Sequence, residues 1–224
     1  ETPASGNKKR LLVAGKATEG SLDRSTSVPF SGEGLAAIGG GVGSFFYASG
    51  VRLKPLRDRY TSWFAFLAEM EDLTPEEERV HALHSRWFSD VERTRMSRSY
   101  KMIAIKEMLR SGELHSGSDV ASLAERCRAL LERDTVLQAE LDEHRSSGED
   151  LGAFVSRWRE MPLRVLHRRL GDWFALRGDR FETLVDVSSA NRNTFDAMTE
   201  ELVELRLLEH RDKRRFAEAV IPLT

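Results

Sequence analysis

The apolar positions of residues 97–110 follow the period of an α-helix. Its apolar side chains recur three and four residues apart, which places them on one helical face. These are Met102, Ile105, Met108 and Leu109. The basic residues that fall mostly off this stripe are Arg98, Lys101 and Arg110. With Ser97 or Ser99 as a cap and Gly112 as a stop, we predict an amphipathic helix with a basic outer face.

Helical spacing also dominates the chain after Tyr60. Thr74 and Glu77 form a capping box with Pro75 at the first helical position, and this predicts a helix that runs to about Phe88. Further apolar stripes predict helices over residues 119–133, 135–144, 151–161 and 191–205, and one that begins at Pro162. Before Tyr60, the alternation of apolar and basic residues over 51–56 predicts a short strand instead.

Two segments near the C-terminus read as β-hairpins. Residues 173–182 place aromatic and apolar arms around a Gly-Asp turn. Residues 207–223 could form a second hairpin around a basic turn, which would resemble the wing of a winged-helix protein; a solubilising turn explains it equally well. The predicted fold class is therefore mainly α, a multi-helix domain with one or two C-terminal hairpins.

The first fifty residues differ in composition from the rest. Gly, Ser, Thr and Ala dominate them, so we predict a linker or small β-containing segment over residues 1–56 and a helical accessory domain over 57–224. The glycines of residues 39–43 suggest a phosphate loop, but the required Lys-Ser/Thr pair does not follow them. Because the chain starts Glu1-Thr2-Pro3, we expect that it was cut from a longer polypeptide.

The charge of this 224-residue chain is segregated, although 34 basic and 36 acidic residues leave a net charge of only -2. Three basic blocks stand out, the first over residues 93–110, the second over 157–169 and the third over 211–215. Such blocks suit contact with nucleic-acid phosphates, although charge runs are often merely solvated. The candidate DNA-binding residues are Arg98, Lys101, Arg110, Arg164, Arg168, Arg169, Arg211, Lys213, Arg214 and Arg215. The lone Cys127 suits a reducing cytoplasm, and no apolar run approaches the roughly 18 residues of a membrane span.

Motifs for catalysis or metal binding are missing from the sequence. It has no cysteine pair, no HExxH, no GxSxG elbow and no Walker motif. His81 and His84 have a spacing that can hold a metal, but no further ligand accompanies them, and surface positions are the simpler interpretation. Asp90 and Glu92 near Lys101 do not make a two-metal nuclease site. We therefore predict no catalytic site, no metal and no cofactor in this chain.

The order of several short motifs resembles the C-terminal region of large bacterial DEAD/DEAH-box helicases of superfamily two. The motifs are Ser62–Phe66, Met70–Thr74, Glu92–Met102, Asp172–Phe174 and Glu201–Leu207. The sharpest match, T-x-M-x-x-S-Y-K-M, is met by Thr94, Met96, Ser99, Tyr100, Lys101 and Met102. The resemblance spans residues 60–210. It implies a motor in the same polypeptide that uses ATP and magnesium, often fused to a phospholipase-D-like or HNH nuclease domain.

Two hypotheses from different classes follow. In the first, the chain is a non-catalytic accessory domain of an ATP-dependent helicase or restriction-type enzyme, and its basic blocks contact the DNA backbone. In the second, it is a structural scaffold that docks the motor onto a nuclease or another protein partner. Clustering of the basic blocks on one surface favours the first hypothesis. Dispersed blocks and an exposed aromatic patch near Trp63 and Trp87 favour the second.

Overall fold

Helices dominate the computed structural model, which describes residues 53–142 and 149–219, without the side chains at 53, 55 and 215–219. The helices are α1 Leu53–Tyr60, α2 Trp63–Glu69, α3 Pro75–Arg93, α4 Tyr100–Arg110, α5 Val120–Glu132, α6 Thr135–Asp142, α7 Leu151–Trp158, α8 Arg164–Arg169 and α9 Arg192–Ala219. A π-helical turn, Arg159–Leu163, joins α7 to α8, and a short 3-10 turn, Ser189–Asn191, precedes α9. This confirms the predicted mainly α class, whereas the predicted segment before residue 53 lies outside the described residues.

A small antiparallel sheet accompanies the helices. Its strands are β1 Ser118–Asp119, β2 Phe174–Arg177 and β3 Arg180–Thr183, in the order β1-β3-β2. Leu176 pairs with Phe181 across the hairpin, and Gly178 supplies the positive φ of 55° that its turn requires. The first predicted hairpin is thus confirmed.

The chain divides into two compact units. Unit 1 comprises the residues up to Arg93 together with Ala190–Glu209, and unit 2 comprises Thr94–Ser189 and the residues from His210 on. Helix α9 supplies residues to both. The predicted domain boundary at residue 56 stays a prediction, because the segment before it is not described.

Unit 1 is held together by an aromatic core. Phe64 and Phe88 meet edge to face with ring centroids 5.1 Å apart, and Phe195 lies 5.4 Å from Phe88. Two indoles satisfy their N–H groups inside this core, Trp63 on the Glu201 carboxylate at 2.7 Å and Trp87 on the Thr199 hydroxyl at 3.0 Å. Trp63 and Trp87 are fully buried, so they form no exposed aromatic patch.

Helix α3 begins at the predicted capping box. The Thr74 backbone N–H donates to the Glu77 carboxylate at 2.8 Å, and the Glu77 N–H donates to the Thr74 hydroxyl at 3.3 Å. The helix continues to Arg93, beyond the predicted end, with non-helical angles at His84. Leu83, three residues after the buried Val80 and four before the buried Trp87, is nevertheless 64% exposed.

Helix α4 lies at the centre of unit 2 and differs from the predicted amphipathic helix. Five of its side chains are fully buried, and four of these are consecutive: Met102, Ile103, Ala104, Ile105 and Met108. Gly112 ends the helix as predicted, with a φ of 69°, and the Glu113 N–H donates to the Met108 carbonyl at 2.8 Å. Because more than one face of the helix is buried, the three predicted DNA-binding cations do not form one basic stripe. Arg98 and Lys101 lie at the start of the helix and Arg110 at its end.

Two predicted β segments are wrong. The part of the 51–56 strand that the structure describes belongs to α1, whose first turn accepts Pro55 because the N–H groups there have no helical acceptor. The second hairpin is also absent, since α9 continues through residues 207–219. Arg206 and Glu209 form a buried ion pair within this helix. The buried face of α9 therefore includes charged residues, and the pattern of apolar residues alone does not predict that the helix continues.

Candidate nucleic-acid interface

The predicted DNA-binding residues whose side chains the structure describes all belong to unit 2. They are Arg98, Lys101, Arg110, Arg164, Arg168, Arg169, Arg211, Lys213 and Arg214. The side chain of Arg215 lies outside the described part of the chain. One unit therefore carries residues from all three basic blocks.

The helix α4, at whose start two cations of the first block lie, packs against the π-helical turn that precedes α8. A shallow pocket there is lined by Ser97, Arg98, Tyr100, Lys101, Met161 and Pro162. Pro162 stands two residues before Arg164, the first residue of α8. The chain therefore passes directly from this pocket into α8, which carries Arg164, Arg168 and Arg169 of the second block.

Local contacts hold the two cations of this pocket. The Arg98 guanidinium lies over the Tyr100 ring, 5.8 Å from its centroid, and the Lys101 ammonium donates to the Arg95 carbonyl. Both side chains are half-buried rather than fully exposed. Their stems are therefore fixed against the pocket, while part of each side chain stays open to solvent.

Helix α8 carries three exposed arginines, Arg164, Arg168 and Arg169. Arg164 pairs with Glu160 at 2.9 Å, four residues earlier, and both side chains are at least half exposed. Arg168 and Arg169 are exposed, and neither forms an ion pair with any acid in the described part of the chain. These two arginines present positive charge that no carboxylate among the described residues offsets.

The third block lies on α9 instead of a hairpin turn. Arg211 pairs with Asp134, and Arg214 lies 3.6 Å from an oxygen of Glu140. Lys213 is exposed. The block is consequently neutralised in part by two acids at α6.

Glu140 links this block to the start of α4. Its side chain is fully buried, and it accepts hydrogen bonds from the Ser99 N–H at 3.0 Å and the Ser99 hydroxyl at 2.6 Å, with the His210 Nε2 also bonded to it. Tyr100 donates its hydroxyl to the Glu140 backbone carbonyl at 2.8 Å. Burial alone would raise the pKa of Glu140, but the hydrogen bonds from His210 and Ser99 outweigh it and lower that pKa. Ser99 therefore occupies the N-cap position of α4 as predicted, but its hydroxyl binds Glu140 and makes no capping hydrogen bond to the helix.

Arg110 stands apart from this assembly. It lies nine residues after Lys101 along α4, which corresponds to about 13 Å of helical rise. Its Nε and Nη2 groups donate to both oxygens of the buried Glu107, at 2.8–3.1 Å. Arg110 is thus not brought together with the cations at the other end of α4.

The acids and histidines of unit 1 have structural environments. Glu92 is buried, accepts the Trp63 backbone N–H at 2.8 Å and lies 3.3 Å from Arg57. Burial raises its pKa to about 7, against the opposing effects of the Trp63 N–H and the Arg57 charge. His81 was predicted at the surface, but it is half-buried against Phe88, and this burial lowers its pKa.

Several features of this interface were not predicted from the sequence. Met161 and Pro162 were assigned only to a helix end and a helix start, and nothing local marks them as neighbours of Arg98. Glu140 and His210 lie seventy positions apart, so no spacing rule connects them. Within the described ranges, no group of three His, Cys, Asp or Glu residues is arranged to hold a metal ion, and no helix has the length and apolar character for crossing a membrane.

Comparisons with protein-family models, with curated proteins and with solved structures found no match to this chain.

Proposed function

We propose that unit 2 binds the phosphate backbone of DNA, as a non-catalytic accessory domain of an ATP-dependent helicase or translocase. The observation that carries the proposal is the junction of two basic blocks. Arg98 and Lys101 share a pocket with Met161 and Pro162, and the chain leaves that pocket directly into α8. Cations on neighbouring segments can contact successive phosphates, whereas isolated surface cations cannot.

Arg168 and Arg169 are the principal contacts in this proposal. Their charges are not offset by acids among the described residues, so counterions held by DNA can be released when they bind. Contacts of this kind supply affinity and orientation without reading the base sequence. The third block adds Lys213, whose side chain is exposed.

The helicase part of the proposal rests on the motif resemblance over residues 60–210. In that assignment, motor domains of the same polypeptide bind ATP and magnesium, and this chain binds DNA next to the motor domains. The chain itself contributes no phosphate loop and no acidic box, which the motor would have to supply.

A structural scaffold is the second candidate function, and a specific observation favours it. Arg110, Arg164 and Arg211 are paired with Glu107, Glu160 and Asp134. Cations paired in this way would lose a partner or share it when they bind phosphate, which lowers their contribution to affinity. A scaffold would dock the motor onto a nuclease or another protein and would leave the basic residues solvated.

The two candidate functions predict different results when the protein is titrated with DNA. The full chain should bind a fluorescently labelled duplex, with equal affinity for unrelated sequences and with an affinity that falls steeply as salt rises. A scaffold should not bind the duplex even at low salt, where contacts to phosphate are strongest. Binding that depended on one sequence and resisted salt would contradict the backbone-contact proposal.

A further inference from the structure

We propose that Met161 contacts the face of an unstacked DNA base, so that unit 2 binds DNA with a bulged or unpaired nucleotide more tightly than fully paired duplex. The inference rests on the proposed DNA binding of unit 2, and it names the DNA structure that this surface prefers. It goes beyond phosphate contact, because the uncharged Met161 side chain cannot release counterions from the DNA backbone.

Met161 lies in the π-helical turn between α7 and α8. Its backbone leaves the helical region, with φ −147° and ψ 104°. The proline ring at Pro162 accounts for this, because it clashes with the preceding residue when that residue is helical and favours extended angles there. Pro162 and Leu163 are buried, whereas Met161 is 41% exposed. The turn is therefore anchored in the core immediately after a partly exposed apolar side chain.

Contacts on other sides also hold this turn. Arg159, two residues before Met161, donates to the Asp179 carboxylate at 2.7 Å and to the Gly178 carbonyl, both at the tip of the β2–β3 hairpin. Helix α4 packs against the same turn. The backbone that carries Met161 is thus fixed before DNA binds, which lowers the entropy cost of a contact made by its side chain.

The pocket beside Met161 combines apolar surface with positive charge. Two of its six lining residues, Arg98 and Lys101, are cations, and none of the six is an acid. Single exposed apolar side chains are common on protein surfaces and carry no meaning by themselves. Here the exposed side chain lies beside cations, and an unstacked nucleotide offers the matching pair of groups, an apolar base face and an anionic phosphate.

The size of the pocket determines how a base can be held. Its volume of about 20 Å³ is on the scale of one water molecule, so a base cannot enter and must lie against the outside, on Met161. In paired duplex, neighbouring bases cover the base faces, and only the base edges are open in the grooves. A face becomes available where a nucleotide is unpaired or a step is opened, and methionine is among the side chains that proteins insert at opened steps. Its thioether also packs favourably on aromatic rings.

Two DNA molecules test the inference: a duplex, and the same duplex with one additional, bulged adenine. The full chain, with ¹³C-labelled methionine methyl groups, would be titrated with each. The chain has six methionines, and the Met161 methyl signal is identified as the one missing from Met161→Leu. We expect this signal to move upfield with the bulged duplex and not with the paired duplex, because the ring current of a base shields protons above its face. A Met161 methyl signal that does not move upfield with the bulged duplex would overturn the inference.

Affinities of variants for the two DNA molecules give a second measurement. The parent should prefer the bulged duplex, and Met161→Ala should weaken binding to it about fivefold, as expected for one contact between a thioether and an aromatic ring. Binding of the paired duplex should be unchanged. Leu151→Ala is the matched control, since Leu151 is 43% exposed and lies at the opposite end of α7 from the turn. It should leave both affinities unchanged.

The outcomes separate this inference from the proposed function. Equal affinity of the parent for the two DNA molecules would overturn the inference and leave DNA binding by unit 2 intact. The same holds if a folded Met161→Ala protein binds both DNA molecules as the parent does, or binds both equally more weakly. No binding of either DNA molecule by the parent would overturn the proposed function and this inference with it.

Discussion

Ser99 directs both of its donors to the same carboxylate oxygen of Glu140, its backbone N–H at 3.0 Å and its hydroxyl at 2.6 Å. Both residues are fully buried. The pair fixes Ser99, which lies between the predicted DNA contacts Arg98 and Lys101, to α6. The position of Arg98 and Lys101 therefore depends on a contact between two residues that lie 41 positions apart.

Ser99→Ala should destabilise unit 2 by about 2 kcal/mol, because it removes a buried hydrogen bond to a charged acceptor. Ser156→Ala, at an exposed position of α7, is the matched control and should stay within about 0.5 kcal/mol of the parent. Urea unfolding at neutral pH measures both.

The loss of stability in Ser99→Ala should also depend on pH. The Ser99 bonds favour the ionised form of Glu140 and help to lower its pKa, so their stabilising effect is present above the usual glutamate pKa and is lost as the pH falls through the lowered one. The stability difference between the parent and Ser99→Ala should therefore shrink in acid. A difference that is constant with pH would mean that the hydroxyl acts by packing alone.

The raised pKa of Glu92 predicts that its contribution to the stability of unit 1 depends on pH in the opposite direction. Its folded pKa is raised to about 7, so between the usual glutamate pKa and 7 the folded state holds a proton that the unfolded state has released. Stability from this group is thus present at the acidic end of the window and falls as the pH rises, by a total of about 3 kcal/mol.

Glu92→Gln isolates that contribution, because Gln keeps an acceptor for the Trp63 N–H. The stability of the parent relative to Glu92→Gln should rise when the pH is lowered from 7.5 to 5.5, as about one proton per molecule is taken up. Glu200→Gln, an exposed change on α9, should leave the pH profile of the parent unaltered. A parent that loses stability relative to Glu92→Gln over this interval would contradict the raised pKa.

The hydrophobic pattern predicted much of the fold, because most core positions follow helical spacing. Phe64, Phe88 and Phe195 lie in the core of unit 1, and the Gly-Asp turn lies in the β2–β3 hairpin. Buried charged residues explain where the pattern failed. Arg206 and Glu209 continue the inner face of α9 by pairing with each other, so the apolar stripe ends while the helix continues.

The candidate site was predicted less completely than the fold. The cations were visible as charge runs, but their partners, such as Asp134 for Arg211, come from distant parts of the chain. The pocket formed with Met161 depends on how α4 packs against the turn after α7, which no local spacing encodes.

Thr74→Ala tests the capping box of α3 and should cost about 1 kcal/mol, because it removes the hydroxyl that accepts the Glu77 N–H. Ser85→Ala, an exposed change within the same helix, should be neutral or slightly stabilising, since alanine is the better helix former. Equal stability of Thr74→Ala and the parent would show that the box contributes nothing.

The most direct test of DNA binding is the salt dependence of a variant that lacks the two exposed arginines of α8. Arg168→Ala/Arg169→Ala and the charge-matched control Arg79→Ala/Arg86→Ala would each be titrated with a labelled duplex over a series of salt concentrations, after thermal melting has shown that they fold. Each lost phosphate contact lowers the slope of log K against log salt by about 0.9. We predict a slope lower by roughly two for the α8 variant, with equal weakening on all sequences, and an unchanged slope for the control. A folded α8 variant that binds DNA with the affinity and slope of the parent would contradict the account.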